Sequence, residues 1–191
     1  MRTAPLLAAL TLILAGCSAA APAPSRPSTA PVAYAATSTC AAPEAAAAQG
    51  DRVLPVLTFP CLDGGSEFAL GTAPGMPTVL NLWAPWCGPC REELPLFQQL
   101  FEQARDAVRT VGLVERDTLA SSVAYADDRG LTFPSGLDEA GRLLTEEGLN
   151  GLPVTYFLTA DGAVAYLQVG PIASYEELRG LLAEHLGVRV P

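Results

Sequence analysis

The 191-residue sequence predicts a single α/β domain: a mixed β-sheet flanked by helices, with a β-hairpin extension at its N-terminal end. Three observations carry this expectation. Strand-like and helix-like segments alternate from residue 78 to residue 147, and then two strand-like runs joined by a tight turn precede a last helix. Residues 78–84, Thr-Val-Leu-Asn-Leu-Trp-Ala, are apolar on both sides of the two-residue period, as in a central strand covered on both faces. Upstream, the turn signal Asp63-Gly64-Gly65-Ser66 separates two shorter strand-like runs. With half of its residues apolar, the chain can bury one ordinary core.

Taken in order, residues 53–61 and 67–70 form the expected hairpin and residues 78–84 the central strand. A helix is expected over residues 87–107, because Leu94, Phe97, Phe101 and Ala104 recur at three and four residues and mark an inward stripe. Pro95 removes the hydrogen bond to the carbonyl of Arg91, so a kink is expected one turn after the start. Residues 108–114 read as a strand, 119–129 as a helix, 132–137 as a short strand and 138–147 as a helix. Residues 154–159 and 163–169 flank the hairpin turn Ala160-Asp161-Gly162. The closing helix, residues 174–186, has Ser174 as N-cap and Glu177 as its capping-box partner.

Met1-Arg2 leads into an apolar stretch, residues 5–15, too short to span a bilayer as a mature helix, which is the pattern of an export signal. It ends in Leu14-Ala15-Gly16-Cys17, similar to the lipobox of bacterial lipoproteins, in which cleavage leaves the cysteine as a diacylglycerol-bearing N-terminus. The expected organisation is a signal peptide over residues 1–16, then lipidated Cys17 with a flexible Ala- and Pro-rich tether over residues 17–50, and a folded domain over residues 51–191. The domain would then stand outside the cytoplasm, anchored to the outer face of the cell membrane; the alternative is an ordinary secretory signal cut elsewhere.

Twenty acidic residues against eleven arginines and no lysine give a net charge of −9, so the basic stripe that nucleic acid requires is missing. Five cysteines are odd in number, and assigning Cys17 to lipid leaves two pairs. Export permits stable disulfides. A structural Cys40–Cys61 bridge is therefore expected beside a Cys87–Cys90 couple; the other possibility is that Cys40 and Cys61 form a second redox couple.

Cys87-Gly88-Pro89-Cys90 follows an apolar strand and opens a helical pattern. Two cysteines so spaced in a first helical turn lie close enough to cycle between dithiol and disulfide. Unpaired backbone N–H groups and the positive end of the helix dipole favour the thiolate of Cys87, which makes it the attacking nucleophile and Cys90 the resolving thiol. The bland alternatives are an inert disulfide and half a zinc site. Zinc needs four ligands, and the only histidine, His185, is near the C-terminus, so no metal and no cofactor are called for.

These residues carry a family resemblance. Residues 53–186 resemble thioredoxin-fold proteins, and among them the membrane-anchored TlpA/ResA-type thiol–disulfide oxidoreductases of bacteria. Asn81-Leu82-Trp83-Ala84-Pro85-Trp86-Cys87-Gly88-Pro89-Cys90-Arg91-Glu92-Glu93-Leu94-Pro95 is close to that family's strand-to-helix signature, and Gly151-Leu152-Pro153-Val154-Thr155-Tyr156-Phe157 matches the segment that carries the fold's cis-proline. The N-terminal hairpin and the helix inserted before Gly151 separate this group from plain thioredoxin. The resemblance implies a cis Leu152–Pro153 bond facing the disulfide, with the backbone of Leu152 free to pair with an extended substrate segment. Trp86, with Pro85, is the expected apolar lip for that segment.

Thioredoxin places a buried Asp where this chain has Asn81, an amide that cannot exchange a proton, so another acid must serve. Glu115 is the candidate, since it ends a strand at the same edge as Cys87, and ResA-type proteins resemble this chain in having a functional glutamate there. The Gly-Pro dipeptide is that of thioredoxin, a reductant. The resemblance thus implies reduction of disulfides in substrate proteins, with cytochrome c maturation the family's commonest pathway and a transmembrane CcdA- or DsbD-like protein as electron donor. Two alternatives stay open: a disulfide-forming oxidase of the same fold, and a copper-handling relative, although such relatives usually space their cysteines by three and add a nearby His or Met.

Overall fold

The computed structural model describes Met1, Cys40 and residues 46–191. Apart from Met1 and Cys40, the expected leader, the lipidation site Cys17 and the tether up to residue 45 lie outside the described residues.

The hairpin is short: β1 (Thr58–Pro60) and β2 (Glu67–Ala69) pair antiparallel. Its turn closes on the Asp63 carboxylate, which accepts hydrogen bonds from the amides of Gly65 and Ser66 at 3.0 and 3.2 Å. The remaining elements are β3 (Thr78–Trp83), α1 (Gly88–Ala104), β4 (Arg109–Glu115), α2 (Leu119–Asp128), β5 (Ser135–Asp138), α3 (Arg142–Glu146), β6 (Val154–Leu158), β7 (Val164–Val169) and α4 (Tyr175–Leu186). Five strands form one mixed sheet in the order β5-β4-β3-β6-β7, with β3, β4 and β5 parallel and β6 and β7 antiparallel to their neighbours.

The elements follow the sequence pattern with instructive departures. The strand expected from residue 132 begins at Ser135, and the helix expected from residue 138 begins at Arg142. Asp138 ends β5 rather than opening the helix, and its carboxylate reaches forward to accept the Leu143 amide at 2.9 Å while Gly141, at φ +67°, lets the chain turn between them. In α4 Ser174 caps the Glu177 amide as expected, but the returning Glu177 carboxylate takes the amide of Ala173. Contacts with the domain start before residue 51: Ala47 bridges Thr72, and Gln49 donates to the Asp161 carbonyl.

Alternation along the strands divides the core in two. Val79, Trp83, Val114 and Phe157 face α1, α2 and α4, where they meet Phe97, Val123 and Leu182. Leu80, Leu82, Leu113 and Tyr156 face the hairpin and α3, where they meet Phe59, Phe68 and Leu143. The first is the helical face of the sheet and the second the hairpin face.

Candidate active site

Because β3 and β4 are parallel, their carboxyl ends lie at one edge of the sheet, and because β6 runs the other way the Leu152-Pro153 segment that leads into it returns to that edge. The loop after β7 arrives there too, where the Gly170 amide donates to the Pro153 carbonyl at 3.0 Å. Topology alone therefore assembles residues from four strand ends.

Cys87 is the N-cap of α1. Its extended backbone (φ −82°, ψ 107°) precedes the first turn, and its sulfur accepts the Cys90 amide at 3.2 Å. Cys87 and Cys90 are joined as a disulfide with their Cα atoms 5.3 Å apart. Their environment distinguishes them: Cys87 keeps 5% exposure and Cys90 none. An incoming thiol or disulfide thus meets Cys87 first, and the amide and helix dipole that face its sulfur favour a thiolate once the bridge is reduced.

Trp86 is 58% exposed, and its indole N–H donates to the carbonyl of Arg116 at 3.2 Å. Arg116 adopts φ +54°, a left-handed conformation that non-glycine residues seldom take, and its amide bonds the Asp138 carbonyl. The indole is thereby tied to the end of β4. On the other side of the cysteines Leu152 is half-buried and Pro153 buried, and the bond between them is cis.

Glu115 ends β4 at this edge and is fully buried, but strand alternation turns it to the hairpin face, away from the face that holds Cys90. It pairs in register with Asp138, and neither of its carboxyl oxygens has a hydrogen-bond partner among the described residues. Burial first, and then the Asp138 carboxylate, push Glu115 up to about 8, against the opposing pull of Arg116.

The sequence pattern did not single out Glu93, and the structure places it in the site. It lies one turn after Cys90 on α1, 1% exposed. Its two oxygens accept from the Asn81 side-chain amide at 2.7 Å and from the Ile172 backbone amide at 2.9 Å. Burial raises Glu93 to about 7, and those two donors hold it back from rising further. A signal was available: Glu93 is a charged residue on the buried stripe that runs Cys90, Leu94, Phe97.

Cys40 and Cys61 are also bridged, with Cα atoms 6.0 Å apart, and both are buried on the hairpin face. Cys61 bridges Gly136 of β5, and the Cys40 carbonyl accepts the Arg109 guanidinium at 2.7 Å. The cysteines of the chain's domain therefore divide into an edge pair and an enclosed pair.

Residues 51–167 match the AhpC/TSA family. The sequence is 33% identical over 109 residues to the sporulation thiol-disulfide oxidoreductase A of Bacillus subtilis (strain 168), covering 55% of this chain and 66% of that one. It is 27% identical over 119 residues to the thiol-disulfide oxidoreductase ResA of Bacillus thuringiensis (strain Al Hakam), covering 62% of this chain and 68% of that one. The chain thus spans about two thirds of the length of these curated relatives. Among solved structures, a secreted Mycobacterium tuberculosis disulfide oxidoreductase homologous to E. coli DsbE aligns with a TM-score of 0.58 and 29% identity, over 67% of this chain and 95% of that one.

Proposed function

The chain belongs to the AhpC/TSA family and carries a thiol–disulfide oxidoreductase site on a thioredoxin-like fold, and from that premise we propose that it is an extracytoplasmic protein-disulfide reductase. The observation that carries the reading is the Cys87–Cys90 pair capping α1, with a buried carboxyl one turn behind it. The Cys87 thiolate attacks one sulfur of a substrate disulfide, forming a mixed disulfide and releasing the other substrate sulfur as a thiolate. Glu93, as carboxylate, takes the proton of Cys90. The Cys90 thiolate then attacks the Cys87 sulfur, releasing the second substrate thiolate and leaving the Cys87–Cys90 bridge. Two electrons pass from enzyme to substrate in each cycle.

In the reverse half-cycle an external dithiol opens the bridge, Cys90 leaves as thiolate, and protonated Glu93 returns the proton. A group near 7 serves both directions at neutral pH. Glu115 is a second acid–base group, acting from the other face of the same edge. Trp86 and Leu152 flank the sulfurs and receive an extended substrate segment, Trp86 by its ring and Leu152 by its backbone, with Pro153 seated against the bridge. Cys40–Cys61 acts as a structural staple.

Anchoring belongs to the same proposal: Cys17 carries lipid, residues up to the staple form the tether, and a CcdA- or DsbD-like membrane protein supplies electrons. Disulfide-containing secreted proteins are the substrates, and the haem-site cysteines of cytochrome c are the class that the family resemblance favours. The test is Cys90→Ser, which should accumulate mixed disulfides on Cys87, together with titration of the Cys87–Cys90 couple against glutathione. A potential below about −200 mV is expected, and one near about −120 mV would make the protein an oxidase.

A further inference from the structure

We propose that Asn81 is a positioning residue, whose side-chain amide holds Glu93 in place as the proton carrier for Cys90. The inference deepens the reductase reading above and rests on it for its catalytic meaning, but its geometry stands independently. Asn81 sits in the middle of β3 between Leu80 and Leu82, and all three are wholly buried. For packing alone an apolar side chain would serve better there, because an amide brings polar atoms that must be satisfied away from water.

The way its atoms are used shows what the amide does. Its Nδ2 group donates toward Glu93 at 2.7 Å and toward the hydroxyl of Thr155, its cross-strand partner on β6, at 3.2 Å. Its Oδ1 is buried with no hydrogen-bond partner among the described residues. Only the donor end is matched, and the acceptor end is left uncompensated. The donor faces one oxygen of Glu93, while the backbone amide of Ile172 faces the other.

Two donors on two oxygens fix the carboxylate's plane and favour its charged form against burial. Cys90 and Glu93 are three residues apart on α1, which puts them on one side of the helix as neighbours. An orientation imposed on Glu93 from β3 is therefore an orientation relative to the Cys90 sulfur.

The surroundings leave Asn81 little competition. Packed around α1 are Asn81 of β3, Thr155 of β6, the Ile172 amide of the loop after β7, and from α4 the apolar Leu178 and Leu182 with Tyr175 in its first turn. On α1 itself stand Cys87 and Cys90, bridged in this state. Among the described residues the proton affinity of Glu93 is set by burial and by the two donors.

The test is a titration of the Glu93 side-chain carboxyl by carbon-13 NMR in the full oxidised chain, where neither cysteine titrates and no substrate is needed. Wild type should show a midpoint near 7. Asn81→Leu removes one donor and should move it upward by about one pH unit. In the reduced protein, the rate at which Cys90 resolves a mixed disulfide on Cys87 should follow the same displaced midpoint. An Asn81→Leu midpoint that stays at the wild-type value overturns the proposal, even if that variant melts at lower temperature, since a purely packing role predicts loss of stability alone.

Should Asn81→Leu fail to fold, Asn81→Asp keeps the shape. It sets two carboxyls at the separation now held by the 2.7 Å hydrogen bond, so the pair should share a proton and titrate in two separate steps. A single unshifted step would again overturn the proposal. A displaced Glu93 midpoint in a chain that reduces no disulfide would sink the reductase reading and leave the positioning role intact.

Discussion

Each face of the central sheet carries one disulfide and one buried glutamate, and the two sets are built differently. On the helical face the Cys87–Cys90 bridge opens at the sheet edge and Glu93 has a donor on each oxygen. On the hairpin face the Cys40–Cys61 bridge is enclosed and Glu115 has no hydrogen-bond partner among the described residues, with the Asp138 carboxylate raising its proton affinity and Arg116 opposing it. Both glutamates are raised by burial, to about 7 and about 8. The difference teaches that burial reinforced by a neighbouring carboxylate raises a carboxyl's proton affinity, whereas burial opposed by directed donors gives a carboxyl that exchanges its proton near neutrality. The same chemical group meets directed donors on one side and a neighbouring carboxylate on the other.

The largest effect expected from this contrast is on stability. A carboxyl whose proton affinity is raised by folding binds more protons folded than unfolded between its ordinary value and its shifted one, so stability is highest at low pH and falls as pH rises through that window. For Glu115 the window runs from 4.5 to about 8, and for Glu93 from 4.5 to about 7. The domain should be less stable at about pH 8 than at about pH 5, with Glu115 contributing roughly 3–4 kcal/mol of the loss. Glu115→Met, which keeps the volume and removes the charge, should be more stable than wild type at the higher pH and should retain only the smaller Glu93 slope. Urea denaturation at the two pH values checks this. A wild-type protein equally stable at both would mean that Glu115 is solvated or paired in solution, and the contrast between the faces would fall.

Next in size is the enclosed bridge. Cys40 and Cys61 close a loop with a sequence separation of 21, and removing such a crosslink costs about 3 kcal/mol in the chain-entropy account. Cys40→Ser with Cys61→Ser should lower stability by about that amount and leave disulfide reduction within about two-fold of wild type, in keeping with an enclosed position on the face away from Cys90. If turnover fell with stability unchanged, Cys40 and Cys61 would be a second redox couple, and the division of labour between the faces would be lost.

How far the sequence alone reached follows the same division between local and distant causes. The redox pair, the hairpin turn and the proline segment are written in adjacent residues: Cys87-Gly88-Pro89-Cys90 carries its chemistry in its spacing, Asp63 binds amides two and three residues on, and Leu152-Pro153 is a dipeptide. Glu93 escaped notice because its partners are remote, Asn81 being 12 residues away and Ile172 79 residues away. Glu115 could be placed at the correct edge from the end of its strand. Its face follows from the alternation along β4, but that it meets Asp138 there depends on the β4–β5 register, which no local pattern encodes. The start of α3 departs from the sequence pattern for a related reason, since Asp138 has the character of a helix opener and instead ends β5, bonding the Leu143 amide across the turn.

The smallest expected effect is on rate, and it bears most directly on the helical face. Glu93→Gln keeps the shape but removes the exchangeable proton, so Cys90 must lose its proton to solvent before resolving the mixed disulfide. The resolution step should slow by about 100-fold at neutral pH, the low end of what a positioned acid–base group contributes. Its pH dependence should also change in form. Wild type should accelerate as Glu93 ionises near 7, whereas Glu93→Gln should follow only the thiol's own ionisation at higher pH. Stopped-flow measurement of product release from a Cys87-linked model peptide reads both quantities. Glu115→Gln measured in parallel decides between the faces. A loss of the step near 7 in Glu115→Gln with the step intact in Glu93→Gln would transfer the proton-carrying role across the sheet, and the two hydrogen bonds to Glu93 would then be scaffolding for the loop at Ile172.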